Sequence, residues 1–340
     1  MSVTYRCLSQ EDVIAAGGLD MDACLEVIGT TLALHHRGET IAPTKAVIHW
    51  SDEIDTDEKL GRVMSMPAYV GGEIGITGMK WIPSVPSNPA RGLPRGIGLV
   101  LLSDPETGLP LAFMDGTVVS AMRTGAVAGI AARELARAGA AVLGLLGAGV
   151  QARTQLLALE RTLPGLEEIR IYDPVREKAE RLAGEPTDGP SRRVAASPEE
   201  AVRGCDVVVP VTMAPDPFVP AAWLDPGTVA ISVSSLDFEL DVVAAADLLV
   251  ADDLEHETAH PPRLFARAEA AGILDRGAVV TLGAIVAGAH PGRSSEDDRV
   301  VVSPIGLAIE DVAWAAHVFR SAEALGLGRE QTLWDEPLWV

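Results

Sequence analysis

The sequence predicts an α/β fold, a doubly wound parallel sheet inserted into a β-rich α+β domain. Three observations predict it. From Val118 onward, short apolar strand segments alternate with helix-period segments. From Pro43 to Phe113 the pattern is instead one of short strands broken by turn residues. After Pro304 a further helix-period segment closes the alternation. At 340 residues, with 48% hydrophobic and 22% charged residues, the chain can build two domains with cores of their own. The expected boundaries are 1–120 plus 308–340 for the β-rich domain and 121–307 for the parallel-sheet domain.

In order along the chain, 19–37 reads as a helix, because Leu25, Ile28 and Leu32 share a face and Gly38 stops it. Strands follow at 46–50, 62–66, 74–81, 98–103 and 110–114. Asp104-Pro105-Glu106-Thr107-Gly108 is a hairpin turn, with Pro presetting one dihedral and Gly supplying a positive one. A helix over 120–138 leads into strands at 142–146, 169–172, 192–196, 206–211, 228–234, 247–251 and 279–281. The helices among them are 151–161, 175–183 and 198–202, and 184–191 is a Gly/Pro/Asp-rich loop. The last helix, 307–324, carries Ile309, Val312, Ala316 and Phe319 as a stripe that can pack on the first domain.

The strand at 142–146 runs into Gly147-Ala148-Gly149-Val150-Gln151-Ala152. Gly147 suits the tight turn, Gly149 a close approach of backbone to a pyrophosphate, and Ala152 tight helix–strand packing. The helix that starts there offers free N–H groups and a positive dipole end to an anion. Asp173 ends the next strand, 24 residues past Gly149, at the spacing of a carboxylate that holds an adenosine ribose. That carboxylate repels a 2′-phosphate, so NAD is favoured over NADP, although Arg176 stands close by in sequence.

The net charge of −21 argues against nucleic acid as a partner. Cys7, Cys24 and Cys205 have no metal or disulfide spacing and read as small hydrophobes in a reducing, cytoplasmic setting. The first twelve residues lack a signal-peptide pattern, and no apolar run reaches membrane-spanning length. His256-Glu257-Thr258-Ala259-His260 fits a zinc pattern but stands ahead of Pro261-Pro262, and reads as a chance match on a polar surface segment, so no metal is expected. His290 and Arg293 suit an ordinary loop at least as well as a site.

Three basic residues stand in unusual settings. Lys80 ends an apolar strand, Arg123 lies near a helix start, and Arg95 follows Gly92-Leu93-Pro94. The bland account of Lys80 is a packed stem with a solvated head. Arg123 calls for a carboxylate to hold it.

The segments Gly78-Met79-Lys80-Trp81, Asp104 to Gly108, Met122-Arg123-Thr124-Gly125-Ala126, Gly147 to Ala152 and Ile309-Glu310-Asp311 resemble the ornithine cyclodeaminase/μ-crystallin family, over about 8–326. The resemblance implies a homodimer, a β-rich substrate and dimerisation domain, and a Rossmann domain for NAD or NADP. The chemistry it implies is hydride transfer between that cofactor and the α-carbon of an amino acid. Within the family, Arg62-Val63-Met64-Ser65-Met66-Pro67, Gly71-Gly72-Glu73, Ser234-Ser235-Leu236-Asp237 and Pro291-Gly292-Arg293 resemble the dehydrogenases that oxidise N-(2-amino-2-carboxyethyl)-L-glutamate to 2,3-diaminopropionate and 2-oxoglutarate. Ornithine or lysine cyclodeaminases, alanine dehydrogenases, ketimine reductases and non-catalytic ligand-binding proteins share the scaffold.

By this resemblance Lys80 and Arg123 hold the substrate carboxylate and Asp237 is the catalytic aspartate, with Lys80 beside it in the catalytic set. Thr212 lies under the nucleotide, and Thr124, Gly147, Ala148, Gly149, Val150, Gln151 and Asp173 complete the cofactor set. The cyclodeaminases' further arginine is replaced by Lys45 or Arg62, and Arg95 suits a substrate with an additional carboxylate. Ser-Ser-Leu-Asp in place of Gly-Gly-Asp argues against ornithine cyclisation.

Overall fold

The computed structural model describes residues 2–50 and 60–339. The chain divides into two units, Met1–Arg123 with Leu307–Val340, and Thr124–Gly306.

In the first unit eight strands form one mixed sheet: β1 (Val3–Leu8), β2 (Thr40–Ile41), β3 (Ala46–Trp50), β4 (Gly61–Val70), β5 (Ile76–Ser84), β6 (Leu99–Ser103), β7 (Pro110–Asp115) and, far along the chain, β16 (Arg329–Trp334). Their order is β16-β1-β7-β6-β5-β4-β2, with β3 also paired to β4. Among the described residues only β1 and β7 pair in parallel. Side chains alternate across this sheet. Met66, Ala68, Val70, Val100 and Leu102 are buried on one face, while Tyr69, Trp81 and Phe113 stay exposed on the other. The helix Ala308–Leu325 packs on β4, β5 and β6 and on the helix Met21–His36. Asp20 caps that second helix through Ala23 N at 3.0 Å, and its stripe of Leu25, Ile28 and Leu32 is buried. At the 104–108 turn Asp104 Oδ1 accepts from the N–H groups of Glu106 and Thr107, and Gly108 takes φ +73°.

The second unit holds β8 (Val142–Leu146), β9 (Glu168–Tyr172), β10 (Ser191–Val194), β11 (Val207–Pro210), β12 (Val229–Ile231), β13 (Leu248–Ala251), β14 (Val279–Thr281) and β15 (Val300–Ser303). All pairs are parallel, in the order β10-β9-β8-β11-β12-β15-β13-β14. The inner strands β11, β12 and β15 are buried at every position, which is why they read as unbroken apolar runs. The chain winds outward from β8 to β10 and then returns to lay β11 on the other side of β8. That reversal opens a crevice at the carboxyl ends of β8 and β11, where α/β sheets bind ligands.

The local sequence pattern predicts no strand at Val3–Leu8, Arg329–Trp334 or Val300–Ser303, all of which are strands. Every residue of β16 is exposed, so it carries no alternation, and its pairing with β1 makes it a strand. β15 is a three-valine run beside a polar stretch, yet it lies between β12 and β13.

Candidate functional site

In the second unit, Gly147 follows β8 with φ +97°, and a Cβ there would stand 2.8 Å from Val211 O, so only glycine fits the turn beside β11. Gly149 differs: its φ is −90°, it precedes the helix Val150–Thr162, and a Cβ would meet nothing within 4 Å. No side chain caps that helix, and Val150 at its first turn is 67% exposed. Uncapped N–H groups, an exposed apolar residue and open space over a glycine fit a dinucleotide's pyrophosphate and adjoining ring surfaces. Asp173 follows β9 and turns back on this loop. Its carboxylate accepts from Ala148 N and Val175 N, both at 2.9 Å, so it braces the turn. Gln151 lies in the helix's first turn, with its Oε1 accepting from Thr154 Oγ1 at 3.3 Å. Thr124 enters through its backbone, its carbonyl accepting from Gln155 Nε2 at 3.4 Å.

Thr212 follows β11 and Ser234 follows β12, and both hydroxyls donate to Asp237, one to each carboxylate oxygen. The Thr212 backbone N–H donates to Ser234 Oγ at 3.1 Å, closing a ring of three residues. Among the described residues Asp237 caps no helix, and it is 1% exposed. Burial raises its pKa above the usual carboxylate value. The Ser234 and Thr212 hydroxyls and the charges of Arg263 and Arg267 oppose this without cancelling it.

In the first unit, Lys80 lies on β5 between Met66 of β4 and Val100 of β6, on the face covered by Ala308–Leu325. Its head does not reach solvent, contrary to the snorkelling account. Nζ donates to Asp311 Oδ2 at 2.6 Å and Ser120 Oγ at 3.1 Å, and the side chain is 2% exposed. Arg123 donates from Nε to Asp311 Oδ1 at 3.1 Å and from Nη1 to Glu310 Oε2 at 2.8 Å. The carboxylates that hold Arg123 are thus the chain's own. They stand in the first turn of Ala308–Leu325, where the helix dipole favours negative charge. Burial pulls the Lys80 pKa down to about 8, with Arg123 adding to the effect and Asp311 only partly offsetting it. Burial works against the Asp311 carboxylate, but Arg123 and Lys80 outweigh it and hold the group below its usual value. Two cations and two anions leave this buried cluster neutral. The Nη2 group of Arg123 donates to none of the described residues, and the side chain keeps 10% of its area open.

Register puts Arg62, Met64 and Met66 of β4 opposite Ser84, Ile82 and Lys80 of β5, so Arg62 and Lys80 share a sheet face. Arg62 is exposed, and desolvation followed by the like charge of Arg95 pulls its pKa down, so the two guanidiniums lie near each other. Lys45 immediately precedes β3, whose Val47 and His49 pair with Met64 and Arg62, so the alternation carries back to Lys45 on that same face.

Two expectations need correction. The segment 256–260 is not a polar surface stretch: Leu254–Thr258 is a helix, and Glu257 is fully buried. Glu257 accepts from Arg263 Nε at 2.8 Å and Ser303 Oγ at 2.5 Å, an arrangement only the tertiary fold creates. Among the described residues no three His, Cys, Asp or Glu side chains group as a metal set. Of the three thiols, only Cys24 and Cys205 are buried. Arg293 is engaged with the Gly227, Glu296 and Asp298 carbonyls, as an ordinary loop residue would be. Sequence reasoning missed Ser120 and Ser234 as partners of Lys80 and Asp237, and serines in loops and at helix starts give no distinguishing signal.

A family model described as "Ornithine cyclodeaminase/mu-crystallin family" matches residues 7–325. The chain is 33% identical over 326 residues to an alanine dehydrogenase of Archaeoglobus fulgidus, covering 94% of this chain and 96% of that one. It is 29% identical over 332 residues to the N-((2S)-2-amino-2-carboxyethyl)-L-glutamate dehydrogenase of Staphylococcus aureus, covering 96% and 98%. The solved structure of an archaeal alanine dehydrogenase dimer with bound NAD matches with a TM-score of 0.86 and 32% identity, over 98% of this chain and all of that one.

Proposed function

The chain belongs to the ornithine cyclodeaminase/mu-crystallin family, and from that premise we propose that it oxidises N-(2-amino-2-carboxyethyl)-L-glutamate, with release of 2,3-diaminopropionate and 2-oxoglutarate. It is an oxidoreductase acting on amino-acid carbon–nitrogen bonds, and its cofactor is NAD, which accepts the hydride when bound. The residues that would hold NAD are the Gly147–Gln151 turn, Asp173, Thr124 and Thr212. Uncapped N–H groups beneath open space at Gly149 suit a pyrophosphate.

The observation that carries the reading is the state of Arg123: a guanidinium held rigid by two carboxylates, with its Nη2 protons still available. A rigid donor pair suits an α-carboxylate, and Lys80 adds a neighbouring charge. Oxidation removes hydride from the glutamyl α-carbon and a proton from its nitrogen, leaving an imine. Asp237 takes that proton and then activates the water that splits the imine. Its raised pKa suits a group that both accepts and returns a proton. The substrate has two further carboxylates. Arg62, Arg95 and Lys45 would meet them, a cation surplus that alanine does not need.

A second reading, alanine dehydrogenase, is favoured by the Archaeoglobus fulgidus relative. One assay separates the two. With NAD and N-(2-amino-2-carboxyethyl)-L-glutamate, NADH and 2-oxoglutarate should appear in equal amounts, and L-alanine should yield far less NADH. Turnover of L-alanine to pyruvate and ammonia at the higher kcat/KM refutes the proposal. The assembly proposed is a cytoplasmic homodimer, as the NAD-bound archaeal neighbour is a dimer, and light scattering on the eluting peak checks its mass. Among the described residues no helix is long and apolar enough to cross a membrane.

A further inference from the structure

The loop after β12 carries Ser234 and Asp237, yet residues 232–238 belong to no helix or strand. Two guanidiniums hold it. Arg263, 6% exposed, donates from Nη1 to Val233 O at 3.0 Å and Ser234 O at 3.4 Å, and from Nη2 to Ser232 O at 3.0 Å and Pro304 O at 2.7 Å. Its Nε is taken by the buried Glu257, so that charge is largely neutralised. Arg267, one helical turn on, donates from Nη2 to Phe238 O at 3.0 Å and Ser235 O at 3.4 Å, and from Nε to Pro262 O at 3.3 Å. It bonds carbonyls alone and makes no ion pair with a carboxylate among the described residues.

We infer that Arg267 is a positioning residue for Asp237: it fixes the backbone on both sides of the aspartate and sets an unneutralised positive charge behind its carboxylate. Arg263, anchored by Glu257, forms the base of the clamp; both guanidiniums act on Asp237, Arg263 more strongly, and Arg267 adds the charge that no ion pair offsets. This assigns a task to the segment that resembles a zinc motif. Glu257 is an anchor for Arg263, and the N-cap Arg263 and the helical Arg267 beyond Pro261-Pro262 present their guanidiniums to one loop. The inference deepens the proposed role of Asp237 as a proton carrier and rests on that reading. The groups facing Asp237 are the Thr212 and Ser234 hydroxyls, Arg263 and Arg267, with Glu257 behind Arg263. Of the charged ones, Arg263 is ion-paired with Glu257, whereas Arg267 makes no ion pair among the described residues and feels Asp237 more strongly than Glu257. Arg267 is partly exposed, so its charge can be removed without opening the core.

The test reads Asp237 directly, without turnover. Carboxyl carbon NMR of the whole protein, with the Asp237 signal identified by its loss in Asp237→Asn, gives its titration midpoint. In Arg267→Gln the midpoint should rise by about 1 pH unit, as expected when an opposite charge is removed nearby, and Arg267→Lys should restore most of the difference. If Arg267→Gln does not fold, Arg267→Met keeps the stem and asks the same question. The same midpoint in wild type and the neutral variant overturns the inference. Full turnover in Asp237→Asn would instead refute the proton-carrier reading, leaving the midpoint comparison to decide this one.

Discussion

Lys80 Nζ donates to Asp311 Oδ2 over 2.6 Å, across 231 positions of sequence, and the two side chains are 2% and 0% exposed. A buried ion pair seldom adds net stability, because desolvation cancels most of the attraction. Its value here is positional: Asp311 also holds Arg123, so one carboxylate aligns both cations.

Breaking that pair from one side should be costly. Asp311→Asn leaves Lys80 and Arg123 with Glu310 alone, and a loss of about 3–5 kcal/mol is expected. Urea unfolding measures it. The double variant Lys80→Met with Asp311→Asn removes the stranded ammonium as well and should be more stable than Asp311→Asn alone. A single variant as stable as wild type would show that the cluster does not share charge in this way.

The low pKa of Lys80 sets an alkaline limit on activity. On the proposed role the substrate carboxylate is bound by the ammonium, and this group loses its proton as pH rises through about 8 rather than near the ordinary lysine value of 10.5. kcat/KM, which reports the free enzyme, should therefore fall above about pH 8. Lys80→Arg keeps its charge far higher and should remove that limb, at lower overall activity. A limb unchanged in Lys80→Arg assigns it to another group.

These partnerships were only half legible in the sequence. Lys80 and Arg123 stand out because a cation in an apolar or helix-start context needs a partner, whereas Asp237 is picked out only by the family resemblance. What satisfied them did not stand out, since Asp311 lies 188 positions from Arg123 and Ser120 is one serine at a helix start. The glycine turn was readable because its constraint is local: Gly147 must take a positive φ. β15 and β16 were not, because tertiary pairing, not local pattern, makes them strands.

The two glycines of the turn should fail differently. Gly147→Ala puts a Cβ 2.8 Å from Val211 O at φ +97°, and a loss of about 1–3 kcal/mol in folding stability is expected. Gly149→Ala meets nothing within 4 Å at φ −90°, so stability should hold while NAD binding weakens at least about tenfold, or ~1.4 kcal/mol. Thermal unfolding beside NAD titration followed by fluorescence separates the two. Equal NAD affinity in Gly149→Ala and wild type would exclude close backbone approach there.

Asp173 braces the glycine turn through Ala148 N and Val175 N, and on its proposed role it also holds the adenosine ribose and so favours NAD over NADP. Asp173→Ala should weaken NAD by roughly 10–100-fold, the size of a lost charged hydrogen bond, and NADP by less. Dissociation constants for both cofactors check this. A proportional loss for the two would mean that Asp173 serves the turn alone.

Asp237→Asn tests the centre of the chemistry. The amide is close to the carboxylate in shape and can still engage both hydroxyls, its oxygen accepting from one and its NH2 donating to the other in place of the second carboxylate oxygen, so the loop should keep its place. What it lacks is a site for the proton released when the amine becomes an imine. Turnover should fall by about two to four orders of magnitude while NAD affinity stays within a factor of about two. The pH profile supplies the sign. Burial lifts the Asp237 pKa above 3.8, so wild-type kcat/KM should decline on acidification at a higher pH than an ordinary carboxylate would give. The residual activity of Asp237→Asn should lack that decline. If it keeps both the decline and wild-type turnover, the proton goes elsewhere and the buried aspartate only shapes the loop.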